Sequence, residues 1–169
     1  MKKPLGVALG LAAAASLAAT TLITGGTASA AEPASLTIQG DLHLTPTLRL
    51  LRIDAQGVRD KDGKTTGTYV ATMLDGMNPT PIQVRGPITC ISSSGNAASL
   101  VYPISEVRPF GMIPALKDKY AIQISVRKGT DGRSSRVGVN GPMPTGNFTG
   151  CAPAATPFAF KGTIETTGG

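Results

Sequence analysis

The stretch KYAIQISVRK, residues 119–128, carries the clearest structural signal in the chain. Tyr120, Ile122, Ile124 and Val126 alternate with small, polar or charged residues. Such period-2 alternation predicts a β-strand with one face on a core and the other toward solvent. The turn sequence GTDG follows at residues 129–132, and residues 133–139 then read as the second strand of a hairpin. The stretch therefore indicates an antiparallel β-fold.

The same alternation recurs along the chain, and no segment shows convincing helical periodicity. Further strands are predicted at residues 35–44, 47–54, 68–74, 81–91, 97–105 and 158–165. In the first of these, the apolar face holds Leu36, Ile38, Leu42 and Leu44. We expect an all-β fold, an antiparallel sandwich or small barrel of seven to eight strands. The patterns of the first and last strands would allow them to pair and close the sheet.

Three irregularities interrupt these patterns. The alternation slips at Leu50–Leu51, which predicts a β-bulge or a change of burial. Gly86–Pro87 interrupts the strand at residues 81–91, so we expect a bend, a bulge or a sheet edge there. Residues 106–117 contain two prolines and a glycine, and they predict a crossing loop with at most one helical turn.

The N-terminal 30 residues have the layout of a secretory signal peptide. Lys2 and Lys3 precede an Ala- and Leu-rich apolar run, and the small-residue sequence Ala28-Ser29-Ala30 follows it. Cleavage after Ala30 would leave 139 residues, which form a single domain at residues 31–169 and include no second membrane-spanning run. The sequence therefore predicts a secreted protein, either extracellular or associated with the cell wall.

The two cysteines, Cys90 and Cys151, both lie in the exported part of the chain. In an oxidising compartment, two cysteines most simply form one disulfide. The position of Cys90 in its strand pattern predicts that its side chain points inward, together with Ile88. We therefore interpret Cys90 as half of a structural bridge and not as a nucleophile.

The net charge of +6 falls to +4 when Lys2 and Lys3 leave with the signal peptide. Basic residues cluster on the predicted hairpin, at Arg127, Lys128, Arg133 and Arg136. This cluster could contact an anionic surface such as a wall polymer, a lipid headgroup or a nucleic acid. Alternatively, the charges keep an edge hairpin soluble and unpaired. Because no aromatic residues are interleaved with these charges, we do not expect specific nucleic-acid binding.

The sequence offers few parts for catalysis. His43 is the only histidine, and Asp41 lies two residues before it on the polar face of the first predicted strand. An Asp–His contact is geometrically possible, but we interpret His43 as a solvent-facing residue. Asp60-Lys61-Asp62-Gly63 begins like a calcium loop and lacks its later ligands. We therefore expect no enzyme activity, no metal and no cofactor.

Parts of the chain resemble small exported bacterial all-β proteins of unknown function, over residues 84–165. Four features carry the resemblance. They are a strand of the form G-x-[VI]-T-C, a Gly-Asn turn after it, a later Asp-Gly loop before a second cysteine, and a final strand with a central glycine. The matching residues are Gly86, Ile88, Thr89, Cys90, Gly95, Asn96, Ala98, Asp131, Gly132, Cys151 and Gly162. The resemblance implies a disulfide-linked β-fold and no particular activity.

We expect a secreted, non-enzymatic β-domain that binds a partner or serves a structural role at the cell exterior. The partner could be an extracellular protein or a cell-wall polymer. One alternative is a protease inhibitor that presents residues 140–157 as a loop anchored near Cys151. Another is a barrel that carries a small ligand, which requires an internal cavity near His43 or Tyr102. A hydrolase built on His43 is the least favoured.

Overall fold

A computed structural model describes residues 32–76 and 78–168, so the predicted signal peptide lies outside the described residues. Ten strands and two single-turn 3-10 helices make up this part of the chain. The strands are β1 (Ala34–His43), β2 (Arg49–Arg59), β3 (Thr65–Asp75), β4 (Asn78–Pro87), β5 (Cys90–Ser94), β6 (Ala97–Pro103), β7 (Glu106–Arg108), β8 (Tyr120–Arg127), β9 (Arg136–Pro144) and β10 (Phe158–Thr167). The helical turns are Pro114–Leu116 and Thr145–Asn147.

All ten strands belong to one antiparallel sheet, in the order β5-β6-β8-β9-β10-β1-β2-β3-β4-β7. The all-β prediction is confirmed, but the predicted count of seven to eight strands and the closed barrel are wrong. The predicted strand at residues 81–91 divides into β4 and β5 after Pro87, and β7 forms within the predicted crossing loop. The first and last strands do pair along their length. The sheet nevertheless stays open, because its edges are β5 and β7, which do not pair with each other.

The two halves of the sheet face each other across one core. Strand β5 contacts β1 and β2, and β4 contacts β6, although each pair is distant in the sheet order. Gly57 on β2 marks a close approach, since a Cβ atom there would lie 2.8 Å from Cδ1 of Ile91 on β5. Residues from both halves form a single buried cluster, including Leu36, Leu100 and Ile124, each with 0% exposure. Burial of these side chains is the main stabilising contribution of the fold.

The predicted irregularities appear where the patterns placed them. The β1–β2 pairing shifts register between Leu42 and His43. Leu42 pairs with Leu51 and His43 pairs with Arg49, so Leu50 is the extra residue of a bulge. Strand β4 ends at Pro87, and the chain crosses to the other half of the sheet. One expectation is wrong: Leu44 is 45% exposed, because β1 ends at His43 and Leu44 begins the following loop.

Candidate functional site

The β8–β9 hairpin brings two arginines side by side. Arg127 and Arg136 are directly opposite each other in the antiparallel pairing. The turn between them is tight, because the Gly129 N–H donates to Ser135 Oγ at 3.1 Å and the Arg133 N–H donates to the Thr130 carbonyl at 3.0 Å. A Cβ atom on Gly129 would lie 1.9 Å from the Arg133 carbonyl oxygen, so only glycine fits this turn. The local geometry thus fixes the backbone positions of the two arginines.

All four basic residues predicted from the sequence line one pocket of about 430 Å³, which we call the basic pocket. Asn96, Gly129, Thr130 and Ser134 complete its lining. Neither a carboxylate nor an aromatic ring is among these lining residues. Within residues 32–76 and 78–168, the only ion pairs are those of Asp41 and Glu106, so the four cations have no acidic partner there.

Neutral oxygen atoms hold the two opposed arginines in place. Arg127 Nη1 donates to Asn96 Oδ1 at 3.3 Å. Arg136 Nε donates to the Thr156 carbonyl at 3.2 Å, and Arg136 Nη2 donates to the Pro157 carbonyl. Like charges directly opposite each other on adjacent strands are destabilising. The pairing therefore places two arginines opposite each other, while their guanidinium groups bond to neighbours on opposite sides of the hairpin.

The basic hairpin is not at an edge of the sheet. Strand β8 lies between β6 and β9, and β9 lies between β8 and β10. The interpretation that its charges protect an exposed edge is therefore wrong, since the edge strands are β5 and β7. The pairing of β9 with β10 is confined to Val137–Phe158 and Arg136–Ala159, which leaves a gap beside Arg136.

A second depression, of about 580 Å³, lies at this gap and shares Ser134 and Arg136 with the basic pocket. We call it the adjoining groove. Its lining includes His43 at the end of β1 and Lys161 on β10. Neither residue was predicted to lie beside the basic hairpin, because only the sheet order β9-β10-β1 brings them next to Arg136.

His43 is not solvent-facing, so that interpretation was wrong. Its side chain is buried, with 8% exposure, and within the described chain its Nε2 atom has no hydrogen-bonding partner. The physical reason is that β1 is an interior strand, flanked by β2 and β10, so that neighbouring side chains enclose even its polar face. His43 therefore lines the adjoining groove without exposing this nitrogen to it.

Asp41 does not support His43 in catalysis, because arginines occupy both of its oxygens. Arg52 Nε donates to Oδ1 at 2.9 Å and Arg52 Nη2 to Oδ2 at 3.3 Å, while Arg49 Nη1 donates to Oδ2 at 3.1 Å. The hydrogen bonds from Arg52 hold the pKa of Asp41 below its ordinary value of 3.8, although burial opposes them. Asp41 is therefore a structural ion-pair residue, and a hydrolase built on an Asp–His pair loses its basis.

The disulfide between Cys90 and Cys151 is confirmed, with Cα atoms 6.0 Å apart. Cys90 does not point into the main core as predicted. Pro87 ends the strand before it, and the pattern restarts in β5, so that Ile91 enters the core. Cys90 joins a separate small cluster of Val101, Ala121, Cys151 and Phe148.

This disulfide fastens residues 148–157 onto the outer face of β6 and β8. Ser99 Oγ donates to the Cys151 carbonyl, and Gln123 Nε2 donates to the Ala152 carbonyl at 2.8 Å. The Ala154 N–H donates to Ser125 Oγ at 2.9 Å. The proposed inhibitory segment, residues 140–157, thus begins within β9 and continues as a strip bonded to the sheet. This arrangement does not favour a protruding protease-binding loop.

No protein-family model, curated protein or solved structure matches the chain. Across residues 32–76 and 78–168, no group of three or more His, Cys, Asp or Glu residues could hold a metal ion. In the same part of the chain, no helix is long and apolar enough to span a bilayer.

Proposed function

We propose that this protein is an exported, non-enzymatic binding domain that holds an anionic polymer of the cell exterior in the basic pocket. The observation that carries the proposal is the direct pairing of Arg127 with Arg136 around a pocket without carboxylates. Two arginines that lie opposite each other in a pocket with no carboxylate in its lining are stabilised when a bound anion neutralises their charge.

The most suitable ligand class is a polymer with phosphodiester groups. Guanidinium groups form paired hydrogen bonds to phosphate oxygens, and Asn96 and the carbonyls of residues 156 and 157 already orient these two. Because the basic pocket has no aromatic residue on which a base could stack, a polyol phosphate of the cell wall suits it better than a nucleic acid.

Export is part of this proposal. The signal-peptide pattern at residues 1–30 and the Cys90–Cys151 disulfide support a site of action in an oxidising compartment. A non-catalytic role is supported by the bonding of Asp41 to two arginines instead of His43. The resemblance to small exported bacterial β-proteins is compatible with both points.

The test measures binding of the protein to poly(glycerol phosphate) by calorimetry at several salt concentrations. We expect saturable binding that weakens as salt rises, because phosphate contacts release counterions. The double variant Arg127→Gln/Arg136→Gln should bind at least about tenfold more weakly, since it removes two charge-assisted contacts.

The matched control is Lys117→Gln/Lys119→Gln, which removes the same charge from exposed residues outside both depressions. We expect it to change affinity by less than about twofold. Equal losses in the two double variants would show that net charge alone drives binding and would contradict the proposal. Tighter binding of single-stranded DNA with the same number of phosphates would assign the pocket to nucleic acid instead.

A further inference from the structure

A cavity of about 250 Å³ opens into the interior between the two halves of the sheet. We call it the apolar cavity. One half of the sheet contributes Leu42, Leu51 and Ala71, and the other contributes Tyr102 and Ile122. No charged residue is among its lining residues. Unfilled space beside Tyr102 adds weight to the ligand-carrying alternative considered from the sequence.

The strand pairing is irregular beside this cavity and regular in the rest of the described sheet. The sheet has three register shifts among its described strands, between Leu42 and His43, between Thr72 and Leu74, and between Ala121 and Gln123. Each shift coincides with a cavity-lining residue. These residues are Leu50, Met73 and Ile122. Bulges concentrate beside binding sites because they redirect side chains that a regular strand would place elsewhere.

The mouth of the apolar cavity is apolar too. Leu50, Met73 and Val139 line it and remain 38%, 40% and 37% exposed. Aliphatic side chains that converge around an opening in this way mark an interaction site more often than singly scattered ones do. A molecule entering the cavity would remove these side chains from water as well as fill the interior.

Tyr69 and Tyr102 are the only lining residues that carry a hydroxyl group. Tyr69 is 1% exposed, and its hydroxyl is enclosed beside Tyr102 and does not face the cavity. Its ring stacks on that of Tyr102, with centroids 3.8 Å apart and planes 17° apart. Burial raises the pKa of Tyr69 well above 10.0, and the neighbouring Tyr102 raises it further. The Tyr69 phenol therefore stays protonated, and its enclosed hydroxyl is not available to a molecule in the cavity.

We propose that the apolar cavity binds a small neutral molecule that is apolar throughout. The absence of charged lining residues excludes an ionic ligand, because a buried ion without a partner is costly. The volume lies between that of a cavity that holds benzene and that of a typical drug-sized pocket. It suits a ligand of about ten to fifteen non-hydrogen atoms.

The experiment compares two probes that differ in one group, butyrophenone and butylbenzene. Each competes with the fluorescent probe N-phenyl-1-naphthylamine for the protein, and fluorescence reports displacement. We expect butylbenzene to bind more tightly than butyrophenone, because no exposed lining group replaces the hydrogen bond to water that the ketone oxygen loses on burial. Tyr69→Phe should leave both affinities within about twofold of the wild-type values, because its hydroxyl does not face the cavity.

A second variant tests the location of the site. Ala71 is a small residue in the cavity lining, so Ala71→Leu should fill the space and weaken probe binding at least about tenfold. Ala98 is equally small and buried but lies outside the lining, so Ala98→Leu is the matched control. We expect Ala98→Leu to lower the melting temperature while the folded fraction still binds the probe.

Several outcomes would overturn this proposal. They are the absence of saturable probe binding, tighter binding of butyrophenone than of butylbenzene, and unchanged binding by Ala71→Leu. A dimer that excludes the probe, detected by light scattering at rising protein concentration, would show that a second copy occupies the mouth. The proposal is independent of the basic pocket, since Arg127→Gln/Arg136→Gln should leave probe binding intact.

Discussion

Two regions of the same interior differ in how well they are packed. The part of the core around Leu36, Ile91, Ala98 and Val126 is tightly enclosed, and each of these residues is at most 1% exposed. We call this part of the core the filled region. The strand pairs β5–β6 and β6–β8, which carry Ile91, Ala98 and Val126, run without a register shift. The apolar cavity, by contrast, coincides with three shifts and retains empty space.

The difference teaches how a β-fold can make room for a ligand without losing its core. Regular pairing places every second side chain inward at even spacing, so facing side chains interdigitate and fill the space. A bulge adds one residue to one strand and breaks that correspondence. In this protein Leu50 is such an added residue, and it lies at the mouth of the cavity instead of inside it.

The largest effect should come from releasing the disulfide, which holds β5 of the filled region. Cys90 and Cys151 are separated by 61 residues in sequence. Replacing both with alanine should lower the free energy of unfolding by about 4 kcal/mol, because the unfolded chain gains the entropy of a long open loop. Urea unfolding of the variant and the wild-type protein measures the difference. A loss below about 1 kcal/mol would show that the filled region holds without its bridge.

Truncating one leucine in each region should show directly that the two regions differ in packing. Leu36→Ala removes a side chain with 0% exposure and should destabilise the protein by about 3 kcal/mol, since the surrounding packing leaves a cavity. Leu50→Ala at the mouth should cost less than about 1 kcal/mol, because Leu50 is already 38% exposed. Both values follow from urea denaturation. Equal losses would contradict the distinction between a filled and an open region.

An effect smaller than that of Leu36→Ala is expected at Asp41, which lies beside the bulge that contributes to the cavity. Its pKa is lowered in the folded state, so its ion pairs stabilise the fold above pH 3.8 and lose that contribution as the pH falls through the folded-state value. Arg52 is half-exposed and the pair is screened, so Asp41→Asn should cost only about 1 kcal/mol near neutral pH.

The measurement for Asp41 is the free energy of unfolding of both proteins at neutral and at acidic pH. The two values should differ at neutral pH and converge in acid, where the wild-type carboxyl is protonated. A difference that persists unchanged in acid would assign the effect of the substitution to packing instead of charge.

Local patterns predicted much of the fold because they depend on neighbouring residues alone. The alternation in residues 119–128 appears as β8, the slip at Leu50–Leu51 as a bulge, and Gly86–Pro87 as a strand end. Strand β7 escaped prediction, since three residues between prolines carry no usable periodicity. The burial of His43 also escaped, because its face looks polar in the sequence and becomes enclosed only between β2 and β10.

The candidate sites also contain some residues that the sequence predicted and others that only the tertiary structure brought together. The basic residues of the β8–β9 hairpin were identifiable from the sequence, because a hairpin keeps residues close in the chain close in space. His43 and Lys161 join them only through the pairing of β1 with β10, which lie more than a hundred residues apart. The apolar cavity depends on the same long-range assembly, since its lining comes from both halves of the sheet.

The sequence by itself determined the class of the fold, the pairing of the two cysteines and the presence of a basic hairpin, because each depends on composition or on short-range periodicity. Only the tertiary structure decided the strand order, the open edges, the burial of His43 and the unfilled space beside Tyr102. The physical reason is that a period-2 pattern specifies which face of a strand is apolar and leaves open which strand it will face.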